Sequence, residues 1–170
     1  MINISRRPIL SVSSNDEDFV RTCGALKEAQ VANPVWRCAD RQAAVTALDT
    51  EEGCAKTREA AFVLLDLDMP ELSGRELLER FRRHERKTRV LVLSTASRAD
   101  DVAFCYRAGA NGFFIKPAEY DGWKDMMAKL TAYWLRLALL PHSGGTIVQA
   151  AAKAAVSSSI HRHPTGGAPR

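Results

Sequence analysis

The chain has 170 residues, 46% of them hydrophobic, so it can bury one core but is short for two. Its net charge of +4 arises mainly from residues 141–170, which contain three basic residues and no acidic one, so the near-neutral remainder argues against nucleic-acid binding. The four cysteines lack metal-ligand spacing and no segment approaches the ~20 apolar residues of a membrane span, so we expect a soluble, cytoplasmic protein with reduced thiols.

Short apolar runs alternate with segments of helical period along the chain. The predicted strands are, in chain order, Pro8–Val12, Pro34–Arg37, Ala61–Leu65, Val90–Leu93 and Gly112–Ile115. Five alternations predict an α/β fold with a parallel sheet, because each parallel return needs a crossover, and helices then cover both faces. The polar stretch Thr50–Glu59 contains a glycine and is predicted as a helix end and loop before the third strand.

Three helix starts are predicted from a hydroxyl followed three residues later by an acid, which is the spacing of a capping box. The pairs are Ser14 with Glu17, Ser73 with Glu76, and Ser97 with Asp100. The first of these pairs places the start of the first helix directly after the first strand.

Polar side chains follow the predicted strands at the points where the strands end. They are Ser13 and Ser14 after the first strand, Asp66 after the third, Ser94 after the fourth and Lys116 after the fifth. The carboxyl ends of parallel strands lie at one edge of a sheet, so these groups are expected to converge. A carboxylate that attacks phosphorus, with a hydroxyl and an ammonium to contact the product oxygens, predicts phosphoryl binding or transfer at Asp66.

Three stretches, LLDLDMPELSG at 64–74, VLVLSTAS at 90–97 and AGANGFFIKP at 108–117, resemble the receiver (CheY-like) domain of two-component response regulators. The resemblance covers about residues 8–140. Further stretches at 30–40, 116–123 and 132–141 resemble the single-domain subgroup that is often paired with phytochrome-type sensor kinases.

This resemblance implies a flavodoxin-like (βα)5 fold, doubly wound, with a five-stranded parallel sheet in the order 2-1-3-4-5. It also implies that a sensor histidine kinase passes a phosphoryl group to Asp66, that Ser94 and Lys116 recognise the product, and that signalling proceeds by protein–protein interaction. Ser94 and Phe113 occupy the family's switch positions, and a cis peptide before Pro117 is expected.

The first strand departs from the family pattern, because Ser13 and Ser14 replace two acids that help to bind Mg²⁺. Mg²⁺ prefers charged oxygen ligands, so Asp66, Asp68 and Ser14 would form a weak or absent metal site. Asp16 and Glu17 are expected in the first helical turn, one step beyond the site. Two functions therefore stay open: a phosphorylated single-domain regulator, and a phosphorylation-independent pseudo-receiver that serves as a docking or dimerisation module.

A third function is a phosphatase, because LLDLDMP also resembles the DxD nucleophile motif of haloacid-dehalogenase-type enzymes. That family needs a later acidic pair at another strand end, whereas Asp100 and Asp101 are predicted within a helix. We therefore do not expect an enzyme.

The last predicted helix, 123–140, has more apolar surface than one sheet face requires. The residues expected at a partner interface are Trp123, Met126, Tyr133, Trp134 and Leu137. They predict a homodimer or kinase contact through the face formed by the fourth helix, the fifth strand and the fifth helix.

The chain is predicted to consist of a receiver domain over residues 1–140 and a mostly disordered basic tail over 141–170. The tail is rich in Gly, Ser, Ala and Pro, and a short alanine-rich helix at 146–156 is the alternative for part of it. No DNA-binding motif is expected after the receiver domain.

Overall fold

The computed structural model describes residues 7–70, 73–84, 88–138, 140–141 and 147–148. Five parallel strands form one sheet: β1 (Ile9–Val12), β2 (Val35–Cys38), β3 (Phe62–Asp66), β4 (Val90–Ser94) and β5 (Gly112–Ile115). The strand order is β2-β1-β3-β4-β5, which confirms the expected doubly wound topology. In this order β1 and β3 are neighbours, so their carboxyl ends lie side by side.

Within the described ranges, six α-helices connect or follow these strands: α1 (Asp16–Glu28), α2 (Arg41–Asp49), α3 (Glu51–Glu59), α4 (Gly74–His84), α5 (Ala99–Arg107) and α6 (Tyr120–Thr131). A π-helical turn, Ala132–Leu137, continues α6. Helices α1 and α6 pack on one face of the sheet, while α2, α4 and α5 pack on the other. The flavodoxin-like arrangement with helices on both faces is therefore confirmed.

Alternate residues of each strand feed two separate cores, because successive side chains of a strand point to opposite faces. In β3, Leu64 packs into the core beneath α1 and α6, and Leu65 packs into the core beneath α2, α4 and α5. Trp123 and Phe81 are the largest buried helical side chains of these two cores. Burial of each such side chain contributes about 1.5–3 kcal/mol, which makes the strand ends a rigid platform.

The segment predicted as a loop before β3 is helix α3, so that expectation is wrong. The Thr50 hydroxyl accepts a hydrogen bond from the Gly53 amide at 3.0 Å and caps the new helix. Gly53 lies directly against the backbone of α2, where a Cβ would come within 2.3 Å of the Thr46 carbonyl oxygen. The buried Thr57 hydroxyl also donates to the Ala47 carbonyl at 3.0 Å. A good cap and close packing on α2 thus outweigh the polar composition.

The predicted cap of the first helix is also wrong. Asn15, not Ser14, is the N-cap, and its side chain accepts a hydrogen bond from the Asp18 amide at 3.1 Å. Glu17 does not complete a capping box, because it pairs with Arg21 one turn further along.

The other two predicted caps have different outcomes. The Ser73 hydroxyl accepts a hydrogen bond from the Arg75 amide at 3.3 Å and so caps α4, whereas Glu76 pairs with Arg80 instead of closing the box. The N-cap position of α5 is Arg98, not Ser97, and it makes no side-chain capping bond.

The last helix is not uniformly α-helical, and this changes which side chains are buried. Within the π-helical turn the Ala138 amide bonds to the Tyr133 carbonyl, five residues back, at 2.7 Å. The longer repeat shifts the helical phase, so that Leu135 is 6% exposed and Leu137 is 69% exposed. Leu137 therefore lies on the outer surface of the helix.

Beyond α6, residues Leu140–Pro141 and Ile147–Val148 form a two-residue antiparallel pair, labelled β6 and β7. The alternative prediction of a helix at 146–156 is therefore wrong at Ile147–Val148, which form a strand. The remaining tail, for which disorder was predicted, lies outside the described residues. Among the residues that the structure describes, no helix has the length and apolar character needed to cross a membrane.

Candidate functional site

The site is built around Asp66, the last residue of β3, whose side chain is 3% exposed. One carboxylate oxygen, Oδ1, accepts hydrogen bonds from the Lys116 ammonium at 2.7 Å and from the Asp68 amide at 2.8 Å. The other oxygen, Oδ2, accepts a hydrogen bond from the Ser13 hydroxyl at 2.8 Å. The two oxygens of Asp66 are thus distinguished by their partners.

Lys116 follows β5 and lies among three carboxylates. Its Nζ is 2.7 Å from Asp66 Oδ1, 2.9 Å from Asp18 Oδ2 and 3.1 Å from Asp68 Oδ2. An ammonium has three donors, so each donor has one carboxylate partner. The described part of the site therefore combines three negative charges with one positive charge.

Ser94, the last residue of β4, reaches the site through Asp68. Its hydroxyl donates to Asp68 Oδ1 at 3.1 Å, and the Thr95 amide donates to Asp68 Oδ2 at 2.8 Å. Asp68 is thereby held between the ends of β3, β4 and β5. The structure brings together Asp66, Ser94 and Lys116 as the sequence predicted, but Ser94 contacts Asp68 and not Asp66.

The pKa values of two groups are shifted by this arrangement. Burial alone would raise the pKa of Asp68, but the Thr95 amide, the Lys116 ammonium and the Ser94 hydroxyl together lower it below its ordinary value. Burial would lower the pKa of Lys116, but its bonds to Asp66, Asp18 and Asp68 raise it above the ordinary value. The contacts that cause these shifts stabilise the charged forms of both groups, so Lys116 and Asp68 form an ion pair at neutral pH.

Asp66 is covered in this arrangement. Its side chain is 3% exposed, and both of its oxygens are hydrogen-bonded, to Lys116 and the Asp68 amide on one side and to Ser13 on the other. A phosphoryl group can therefore reach Asp66 only if one of these groups moves.

A divalent cation does not fit the present arrangement of the site. The Lys116 ammonium lies among the three carboxylates and compensates part of the negative charge that would attract a cation. Among the described residues, no group of three or more His, Cys, Asp or Glu side chains is arranged to hold a metal. Ser14 is exposed, and the hydroxyl next to Asp66 belongs to Ser13. The assignment of Ser14 as a ligand of a weak metal site therefore stays a prediction.

Two further residues expected from the family pattern lie next to the site. Phe113 on β5 is half-buried against the core beneath α2, α4 and α5. No cis peptide occurs among the described residues, so the expectation of a cis bond before Pro117 is wrong. Lys116 reaches Asp66 because its amide continues the β4–β5 ladder, bonding to the Ser94 carbonyl at 2.8 Å.

Asp18 is the residue of the site that sequence reasoning missed. It lies in the first turn of α1, and the predicted helix start was one residue too early, so Asp18 was not considered. Its position four residues after Ser14 and three after the true cap, Asn15, is the signal that could have identified it.

The residues predicted at a partner interface divide into two groups. Trp123 is buried in the core and its indole N–H donates to the Pro117 carbonyl at 2.8 Å, so its assignment to an interface is wrong. Met126 and Trp134 are half-buried and line a groove of about 530 Å³ between β5 and α6. Tyr133 also lines this groove and is exposed, and its ring meets the Trp134 ring edge-on at 5.0 Å. Leu137 is exposed further along the same helix.

Comparisons with known proteins agree with this geometry. The family model of the response regulator receiver domain matches residues 10–128. The probable methanogenesis regulatory protein FilR2 of Methanothrix harundinacea is 30% identical over 75% of this chain and 83% of its own length.

Two solved structures extend the comparison. The phosphorylated cyanobacterial phytochrome response regulator RcpA is 28% identical, with a TM-score of 0.72 over 80% of this chain and 99% of that one. The Mn²⁺-bound form of Rcp1, a response regulator of Synechocystis, is 25% identical, with a TM-score of 0.70 over 79% of this chain and 99% of that one. With five parallel strands, an aspartate at the end of β3 and a lysine after β5, this chain belongs to the response regulator receiver domain family, and its relatives include phytochrome-associated regulators.

Proposed function

We propose that the chain accepts a phosphoryl group on Asp66 from a sensor histidine kinase and signals through protein contacts. The observation that carries this proposal is the different environment of the two Asp66 oxygens. Oδ1 is fixed by the Lys116 ammonium and the Asp68 amide, while Oδ2 accepts a hydrogen bond from the Ser13 hydroxyl. Oδ2 is therefore the oxygen that can be released to attack phosphorus.

The reaction follows from the contacts of these groups. When the Ser13 hydroxyl turns away, Asp66 Oδ2 attacks the phosphorus of a phosphohistidine. The new O–P bond forms as the P–N bond breaks, and the electron pair stays on the imidazole nitrogen of the kinase. The groups proposed to contact the transferred oxygens are the Lys116 ammonium, 2.7 Å from Asp66 Oδ1, and the Ser94 hydroxyl, which now donates to Asp68 at 3.1 Å. No step of this transfer is assigned to a metal ion, since the side chains present do not fit one.

The acceptor is tested by intact-protein mass spectrometry after incubation with acetyl phosphate, with and without Mg²⁺. A phosphoryl adduct is expected in the wild type and in Asp121→Asn, a control that neutralises an exposed acid on α6. The adduct should be absent in Asp66→Asn, which keeps the size of the side chain but removes the attacking oxygen's charge. An adduct that persists in Asp66→Asn would place the acceptor elsewhere.

A second function, that of a docking module independent of phosphorylation, is favoured by the burial of the Asp66 side chain and by the serines that replace the acidic pair. In that case the wild type would take up no phosphoryl group under any condition. The double variant Ser13→Glu with Ser14→Asp separates the two functions. Uptake that appears only in this variant supports the docking module.

The partner surface in either case is proposed to be the groove between β5 and α6. Ile115 and Tyr133 are exposed in it and Leu137 is exposed further along the same helix, which is unusual for large apolar side chains on one surface. We propose that this surface binds a second copy of the chain or a kinase, of phytochrome type by analogy with the relatives, in the cytoplasm. Sedimentation tests the homodimer: the wild type should sediment as a dimer and Leu137→Gln as a monomer. If both proteins sediment as monomers, the surface serves another partner.

A further inference from the structure

The position of Asp18 differs from that of the other acids in its helical turn. Asp16 pairs with Arg37, and its side chain is 89% exposed, whereas the side chain of Asp18 is 17% exposed and contacts Lys116 at 2.9 Å. Glu17 pairs with Arg21 on the outer surface of α1. Only Asp18 among these three thus points into the site.

The strand end of β1 supplies no carboxylate to Lys116. Ser13 stands there, and its hydroxyl is committed to Asp66 Oδ2, while Ser14 is exposed. Without Asp18, one of the three ammonium donors of Lys116 would lack its carboxylate partner, although the side chain of Lys116 is only 5% exposed. A buried ammonium with an unsatisfied donor is costly, so the lysine would turn away from the site or admit water.

We propose that Asp18 is a positioning residue that holds the Lys116 ammonium against Asp66, supplying from α1 the carboxylate that the end of β1 lacks. Asp18 acts through Lys116 and does not touch the phosphoryl group. Its side chain is available for this task because the helix cap uses its backbone amide and leaves the carboxylate free of the cap. The proposal deepens the proposed function, and its consequence for phosphoryl transfer rests on that function.

The local effect is tested without any reaction, by NMR of the Lys116 side-chain ammonium, assigned with Lys116→Arg. Ammonium protons exchange slowly with water only while acceptors hold them. We expect a resolved signal in the wild type and an exchange rate about tenfold higher in Asp18→Asn, which keeps the backbone cap. The matched control is Glu17→Gln, which removes an acid from the same turn and should leave the signal unchanged. Asp18→Glu should restore slow exchange at least in part.

The consequence for the reaction is measured in the same variants with acetyl phosphate. Asp18→Asn should slow phosphorylation of Asp66 by about tenfold, since a misplaced contact group costs transfer efficiency. If the wild type takes up no phosphoryl group, the proposed function fails, while the NMR result still decides the role of Asp18. An unchanged Lys116 signal in Asp18→Asn, or faster phosphorylation of that variant, would overturn the positioning role.

Discussion

Because the Ser13 hydroxyl donates a hydrogen bond to Asp66 Oδ2, we expect Ser13→Ala to lower the stability of the protein and to raise its rate of phosphorylation. The bond is 2.8 Å long, buried, and accepted by a charged oxygen. Hydrogen bonds to charged groups contribute roughly 1.5–3 kcal/mol, so the variant should lose about 2 kcal/mol of unfolding free energy. The same change frees the oxygen that attacks phosphorus. About 1.4 kcal/mol corresponds to a factor of ten, so removal of a bond that contributes about 2 kcal/mol should make phosphorylation roughly thirtyfold faster.

Both effects are measured on one preparation, by urea denaturation at pH 7 and by the rate of adduct formation with acetyl phosphate. The control is Ser11→Ala, which removes another buried hydroxyl from β1, two residues from the site. It should lower stability without accelerating phosphorylation. A Ser13→Ala variant that is as stable as the wild type would show that the bond does not restrain Asp66. Slower phosphorylation would assign the serine an assisting role instead.

Three further predictions concern charge and helix capping. Lys116→Met leaves three neighbouring carboxylates without their cation and should cost about 3 kcal/mol of unfolding free energy in urea at pH 7; a loss below about 1 kcal/mol would contradict the buried ion pair. Because the pKa of Asp68 is lowered in the folded state, its ionisation contributes stability above about pH 4, and this contribution is lost as the pH falls through the folded-state pKa. The free energy of unfolding should therefore fall less steeply with decreasing pH in Asp68→Asn. Thr50→Ala removes the cap of α3 and should cost about 1 kcal/mol, with faster hydrogen exchange of α3 amides; equal loss of protection in α1 would show a global effect instead.

Much of the fold could be predicted because buried parallel strands are apolar throughout and end abruptly. The run that ends at Asp66 is an example, since each residue of β3 is buried and the charge begins where the strand stops. The same reasoning located Lys116 after β5. Residues at strand ends can thus be predicted from the sequence because each directly follows an apolar run.

The contributions of the helices were harder to predict. Successive residues of a helix lie about 100° apart around its axis, so whether Asp18 or its neighbours Asp16 and Glu17 point into the site depends on the exact phase of α1. Helix α3 was missed because its polar residues gave no apolar period, although the packing of Gly53 against α2 is what stabilises it. Close backbone contact between two helices leaves no periodic signal in the sequence.

The π-helical turn at Ala132–Leu137 has a consequence for how this chain can vary. A turn with five-residue bonds accommodates one residue more than an α-helical turn of the same rise, so it behaves as an insertion within the helix. Deleting a single residue there would let the segment return to α-helical bonds, and the residues after the turn would keep their frame relative to α6. The last helix can therefore gain or lose one residue at this turn without any substitution in the sheet or at Asp66.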